Sequence, residues 1–197
     1  VVEALAPDGP WCKAAAVNPA VEASSADIVV VNDADCWTPS LVEAVAAVKD
    51  GAAWGMPHYK VFRLSEQSTT RLIEGAGWEE FTRNRKGLLS RRAYPAVWGG
   101  GIVVARRDVL LEARMDPRFL DWGNEDTSWA RALSCLFGDG WRGSAPLLHL
   151  WHPPEPRIAD DRGSPEGWQL FLRYNKARRD PVAMRALLEE ARCLSSA

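Results

Sequence analysis

Ile28-Val29-Val30-Val31-Asn32-Asp33-Ala34-Asp35 is a β-branched run that stops abruptly at two carboxylates one residue apart. Four consecutive branched apolar residues favour an extended chain, and an unbroken apolar run predicts a strand over 27–32 covered on both faces. In open α/β sheets, ligands collect at the carboxyl ends of strands. Asp33 and Asp35 stand at that end, and a turn would let both point the same way. Hard oxygen donors of this kind suit Mg²⁺ or Mn²⁺ bridging a diphosphate. Asp-x-Asp is also common as a helix cap or solvated turn, so it needs company.

Outward from this stretch, the pattern alternates between strands and helices. An Ala-rich helix is predicted over 13–24, with Pro19 kinking it or marking its start. Thr38-Pro39 reads as cap and first-turn proline of a helix running to Lys49. One or two strands follow over 52–64, then a helix after Ser65 and an irregular basic stretch over 75–95. Gly99-Gly100-Gly101 leads into an apolar strand over 97–105. Helices are predicted over 108–114, 125–137, 165–178 and 182–192. Strands are predicted over 1–5 and 145–151. This alternation implies an α/β fold with a mainly parallel sheet flanked by helices.

A chain of 197 residues supports one medium domain. Its net charge of −2 excludes a global field drawing it to nucleic acid or membrane, so any anion site must be local. No apolar run approaches the ~20 residues of a membrane span. The four cysteines, Cys12, Cys36, Cys135 and Cys193, form no Cys-x-x-Cys pair. They read as free thiols of a reducing compartment, which points to the cytoplasm. Ten tryptophans are many for this length, and some can serve as platforms for sugar rings.

Two further clusters carry chemistry. Trp122-Gly123-Asn124-Glu125-Asp126 opens a helix. A helix start favours acids with or without catalysis. The flanking Trp and Gly add a sugar floor and close approach, and a carboxylate there can take a hydroxyl proton. His149-Leu150-Trp151-His152 holds two of the three histidines. Neutral imidazole is a good ligand for Mn²⁺ or Zn²⁺. In a regular strand the two rings would face opposite sides, so a joint role requires the strand to end between them.

In this order, the three clusters resemble the GT-A glycosyltransferases. Residues 13–18 and 26–35 resemble the family-two pattern around its metal-binding Asp-x-Asp. Residues 99–104 and 119–126 resemble the Trp-Gly-x-Glu-Asp segment of galactosyl and N-acetylgalactosaminyl transferases. The resemblance spans roughly residues 10 to 155 and implies a GT-A catalytic domain over 1–160, with 161–197 a helical extension packed on it. Only twelve residues precede Lys13, so the usual N-terminal nucleotide-binding unit is expected to be missing or rebuilt.

The resemblance implies Asp35, His152 and, less directly, His149 as ligands of Mn²⁺ or Mg²⁺. It implies Asp126 as catalytic base, with Glu125 beside it helping to bind acceptor. Asp33, Lys13, Gly100, Gly101, Trp122, Gly123 and Arg83 are the expected substrate-binding residues. The reaction implied is metal-dependent transfer of a sugar from a nucleotide diphosphate, a UDP-sugar above all, with inversion. The acceptor hydroxyl would belong to a glycan, lipid, protein or modified DNA base. A metal-dependent hydrolase or nucleotidyltransferase, or a non-catalytic sugar-binding relative, remains the alternative. Arg83, Arg85, Lys86, Arg91 and Arg92 form a basic run that can meet a diphosphate or an anionic acceptor, although such runs are more often solvated loops.

Overall fold

The computed structural model describes residues 10–82, 87–153 and 163–195. The strand expected over 1–5 lies outside them. In chain order come helix α1 (Lys13–Ala23), strands β1 (Ile28–Asn32) and β2 (Cys36–Trp37), helix α2 (Leu41–Lys49), strand β3 (Trp54–Arg63) and helix α3 (Glu66–Ile73). A 3₁₀ turn over Trp78–Thr82 precedes β4 (Tyr94–Pro95) and β5 (Ile102–Arg106). Then follow α4 (Arg107–Glu112), α5 (Glu125–Phe137), β6 (Trp141–His149), α6 (Pro165–Ala177) and α7 (Pro181–Ser195).

Among the described residues the strands form one six-stranded sheet in the order β1-β5-β3-β6-β2, with β4 added on β3. The sheet is mixed rather than mainly parallel. Only β3 and β6 run parallel, over the longest pairing, Gly55 to Arg63 against Trp141 to His149. The pairings β1–β5, β3–β5, β3–β4 and β2–β6 are antiparallel. Alternating elements do not encode strand direction. The long excursion between β3 and β5 brings the chain back reversed.

A second correction concerns β1. It is an edge strand, and Val30 is 37% exposed. Its apolar run reflects extended-chain preference more than two-sided cover.

Helices cover both faces. On one, Ala44 and Val48 of α2 pack on Val104, with Ile28 and Trp141 at the margin. On the other, Val103, Ala105, Trp54 and Met56 meet α1, α4, α5, α6 and α7 in the largest core. Alternation along β5 sends Val103 and Ala105 one way and Val104 the other. Leu170, Tyr174, Met184 and Leu187 bring α6 and α7 into this same core. The Tyr174 hydroxyl donates to the buried Asp116 carboxylate at 2.9 Å, and Arg118 closes on Asp116 at 2.7 Å.

Two local expectations change for identifiable reasons. Thr38 does not cap a helix: its hydroxyl donates to the Pro146 carbonyl at 2.9 Å, and α2 starts after Ser40. Pro19 lies inside α1 rather than at its start. The preceding Asn18 ties the helix down by exchanging hydrogen bonds with the Met115 backbone, at 2.9 and 3.1 Å. Tertiary bonding of this strength compensates for the helix bond that proline removes.

Candidate active site and metal centre

At the end of β1 the chain turns: the Cys36 amide donates to the Asp33 carbonyl at 2.9 Å. This turn separates the two acids of Asp-x-Asp into two groups. Asp33 faces the start of α1, where the Lys13 ammonium lies 2.7 Å from its Oδ1 and 2.9 Å from Asp126 Oδ1. Asp35 faces the end of β6, where His149 Nε2 and His152 Nε2 each lie 3.2 Å from its Oδ2.

The Asp126 group depends on close backbone approach. The Asp33 amide donates to the Gly101 carbonyl at 2.9 Å, which joins the β1 turn to the glycine triplet. Gly99 has φ of +90°, and a Cβ there would lie 2.1 Å from the Asp126 carbonyl oxygen. A Cβ on Gly100 would lie 3.3 Å from Asp126 Oδ2. The triplet is therefore the bed on which the first turn of α5 rests, a role its reading as a strand entry does not reveal. The α5 cap, Asn124, is left-handed at φ of +70°, a conformation Asn tolerates better than most side chains. Beside it, Gly123 donates its amide to Glu125 Oε2 at 3.0 Å.

Electrostatics in this group follow from burial. Burial raises the pKa of Asp126; Lys13 opposes the shift and Asp33 adds to it. Burial and then the Asp126 charge push Glu125 up to about 7. Burial by itself would lower the Lys13 pKa, but the charges of Asp126 and Asp33 outweigh it and hold the ammonium well above its ordinary range. Lys13 is thus the counter-ion of two acids.

In the Asp35 group, β6 ends at His149 and the chain bends, with the Leu150 amide donating to the Asp35 carbonyl at 2.7 Å. The rings of His149 and His152 stack with centroids 5.4 Å apart. Their Nδ1 atoms lie 2.9 Å from the Leu150 carbonyl and 2.8 Å from the Pro153 carbonyl. A carbonyl only accepts, so each Nδ1 carries a proton, which leaves Nε2, on the Asp35 side, as the donor atom of the ring in its neutral form. Burial, assisted by the Arg63 charge, lowers the His149 pKa despite Asp35. Two imidazole Nε2 atoms converge on one carboxylate oxygen, each 3.2 Å away, and this donor set fits a divalent metal. Backbone carbonyls fixing the tautomer are the usual outer support of such ligands.

Sequence reasoning overlooks two neighbours. Cys36 places its sulfur 3.5 Å from Asp35 Oδ1, and donor atoms of Asp35, Cys36 and His149 lie within 4.8 Å of one another. Arg63 sits opposite His149 in the β3–β6 register. Adjacency to Asp35 was a readable signal for Cys36; nothing local marks Arg63. Trp122 is 48% exposed at the mouth of α5, and Trp11, 51% exposed, accepts the Asp121 amide through its carbonyl at 2.7 Å. Arg83, with Arg85 and Lys86, lies outside the described residues.

Neither protein-family models nor curated proteins match this chain. Among solved structures it is similar to the crystal structure of GalNAc-T7 with UDP, GalNAc and Mn²⁺. The TM-score is 0.55 at 13% identity, over 92% of this chain. The likeness is one of fold. This chain has a GT-A-like fold. It spans 42% of the length of that neighbour.

Proposed function

We propose that this GT-A-like chain is an inverting, metal-dependent glycosyltransferase that moves a sugar from a nucleotide diphosphate to an acceptor hydroxyl. The observation that carries the reading is the single turn at Asp33–Cys36. It sends one acid to a metal-type donor set and the other, through Lys13, to a half-buried carboxylate. Transfer needs both functions side by side. One supports the departing diphosphate, and the other accepts the proton of the attacking hydroxyl.

Asp35, His149 and His152 would hold the metal, and imidazole donors favour Mn²⁺ over Mg²⁺. When bound, it neutralises charge gathering on the leaving diphosphate. Asp33, at the turn, serves the ribose side of the donor. A UDP-sugar is the donor class supported by the UDP, GalNAc and Mn²⁺ of the structural neighbour.

Asp126 is the base. Lys13 holds Oδ1 and favours the ionised form, while Oδ2 faces the side-chain-free surface of Gly100. Burial makes the carboxylate a better proton acceptor than an exposed aspartate. Glu125, Gly123 and Trp122 form the acceptor side, and Gly101 fixes the turn that carries Asp33. The catalytic unit spans 1–160, and 161–197 supports it through α6 and α7. Four free thiols support a reducing, cytoplasmic setting.

A donor screen tests the reading: purified protein with Mn²⁺ and a panel of nucleotide sugars, following released nucleotide and melting temperature. Release that rises on addition of an acceptor, together with metal-dependent stabilisation by one donor, is expected. Release that ignores every acceptor favours a hydrolase, and no donor-induced stabilisation refutes the proposal.

A further inference from the structure

Several arginines on the described surface have acidic partners, among them Arg71 with Glu80, Arg106 with Asp108, Arg114 with Glu22, Arg173 with Glu190 and Arg185 with Glu112. Lys60, Arg63, Arg91 and Arg92 form no ion pair among the described residues, and each lies on the β3–β4 pair or against its Tyr94. Lys60 and Arg92 line an open cleft of about 470 Å³ with Tyr59, Tyr94 and Pro95. Arg63 donates from Nε to the Tyr94 hydroxyl at 2.9 Å, and the Arg91 guanidinium lies 4.6 Å from the centre of the same ring. Tyr59 is 48% exposed. Four like charges held in one region repel one another, so the arrangement favours an anionic partner.

We propose that this β3–β4 cleft binds single-stranded nucleic acid and delivers it to the site as the acceptor. The acceptor role rests on the transferase reading; the binding does not. A diphosphate alone is too small a partner for the cluster, which extends from Arg63, opposite His149, to Arg92 on the β4 side. Cations interleaved with an accessible aromatic ring are the make-up of single-strand sites, where phosphates follow the charges and bases stack on the rings. The cleft is also connected to the chemistry at both ends. Arg63 stands opposite His149 in the β3–β6 register, and residues 96–98 join β4 to the glycine triplet beneath Asp126.

The test is fluorescence anisotropy of a labelled oligothymidylate of about a dozen nucleotides, long enough to fill one such site. It is run in EDTA without nucleotide sugar, across a salt series. Affinity should fall with salt with a log–log slope of about −3, as four phosphate contacts on a single strand require. The double variant Arg91→Ala/Arg92→Ala should reduce that slope to about half. Tyr59→Ala should weaken binding about tenfold and leave the slope unchanged. Arg173→Ala, outside the cleft, should bind like wild type. Lys60→Gln, expected to remove one contact's share of the slope, provides a second reading if the double variant does not fold.

Absence of binding at low salt, or a slope indifferent to all of these cleft substitutions, overturns the proposal. So does preferential binding of an anionic polysaccharide over the oligonucleotide. If the oligonucleotide binds but no donor is turned over, the transferase reading fails and the cleft stands. If sugar is transferred while no oligonucleotide binds, the cleft proposal alone fails.

Discussion

Replacing Glu125 by glutamine should make the protein more stable, and only above mildly acidic pH. In the folded chain burial and the neighbouring Asp126 hold the Glu125 pKa near 7, against an ordinary value of 4.5. Between those two values the folded state binds more protons than the unfolded state, so stability falls as pH rises through that window. The full displacement corresponds to about 3 kcal/mol. Glu125 is only partly buried and titrates jointly with Asp126, so about 1–3 kcal/mol is the expected range. Glutamine keeps the size and can still accept the Gly123 amide. Urea unfolding of both proteins at about pH 5 and about pH 8 measures the effect. The variant should match wild type at the lower pH and exceed it at the higher. Parallel stabilities across the window would show that Glu125 ionises freely in the folded chain, and the account of the α5 acids would fall with it.

Asp126→Asn should retain donor affinity and lose transfer by about 10²–10⁴-fold, measured at saturating donor; near-normal transfer removes Asp126 as base. Asp35→Ala, His149→Ala and His152→Ala should each abolish metal-dependent donor binding, read by calorimetry with and without Mn²⁺. The two histidines should lose it equally, because both Nε2 atoms lie 3.2 Å from the same oxygen. Gly99→Ala should cost about 2–4 kcal/mol in thermal unfolding, since its Cβ would lie 2.1 Å from the Asp126 carbonyl and its φ is +90°. A change under about 0.5 kcal/mol would show that α5 can move away at little cost.

Local signals in this sequence identify elements well. Ser65 caps α3 through its own hydroxyl, α5 begins at Glu125, and Ser164 with Pro165 opens α6. Each rests on chemistry contained within a few residues. What the sequence does not reveal is relational. The β-branched run of β1 is the same whether a strand lies inside a sheet or at its edge, and nothing in β5 states which way it runs. Thr38 carries a good cap signal that a carbonyl more than a hundred residues away overrides. At the site, the residue types were readable from their order. The pairing of Lys13 with Asp126 was not, because each looks locally like an ordinary helix-start residue. Cys36 and Gly99 show the same gap: their importance comes from what lies against them.

Lys13 and Asp126 stand 113 positions apart. A contact of that span forms only after most of the chain between has collapsed, because closing so long a loop is unfavourable until other contacts offset it. The carboxylate at the start of α5 therefore has its counter-ion only in the finished fold. A chain that has formed α5 but not docked α1 holds Asp33, Glu125 and Asp126 without their shared cation, a repulsive arrangement that disfavours a half-built site. Regained activity during renaturation should consequently track the slowest global step, with no early burst from partly folded molecules.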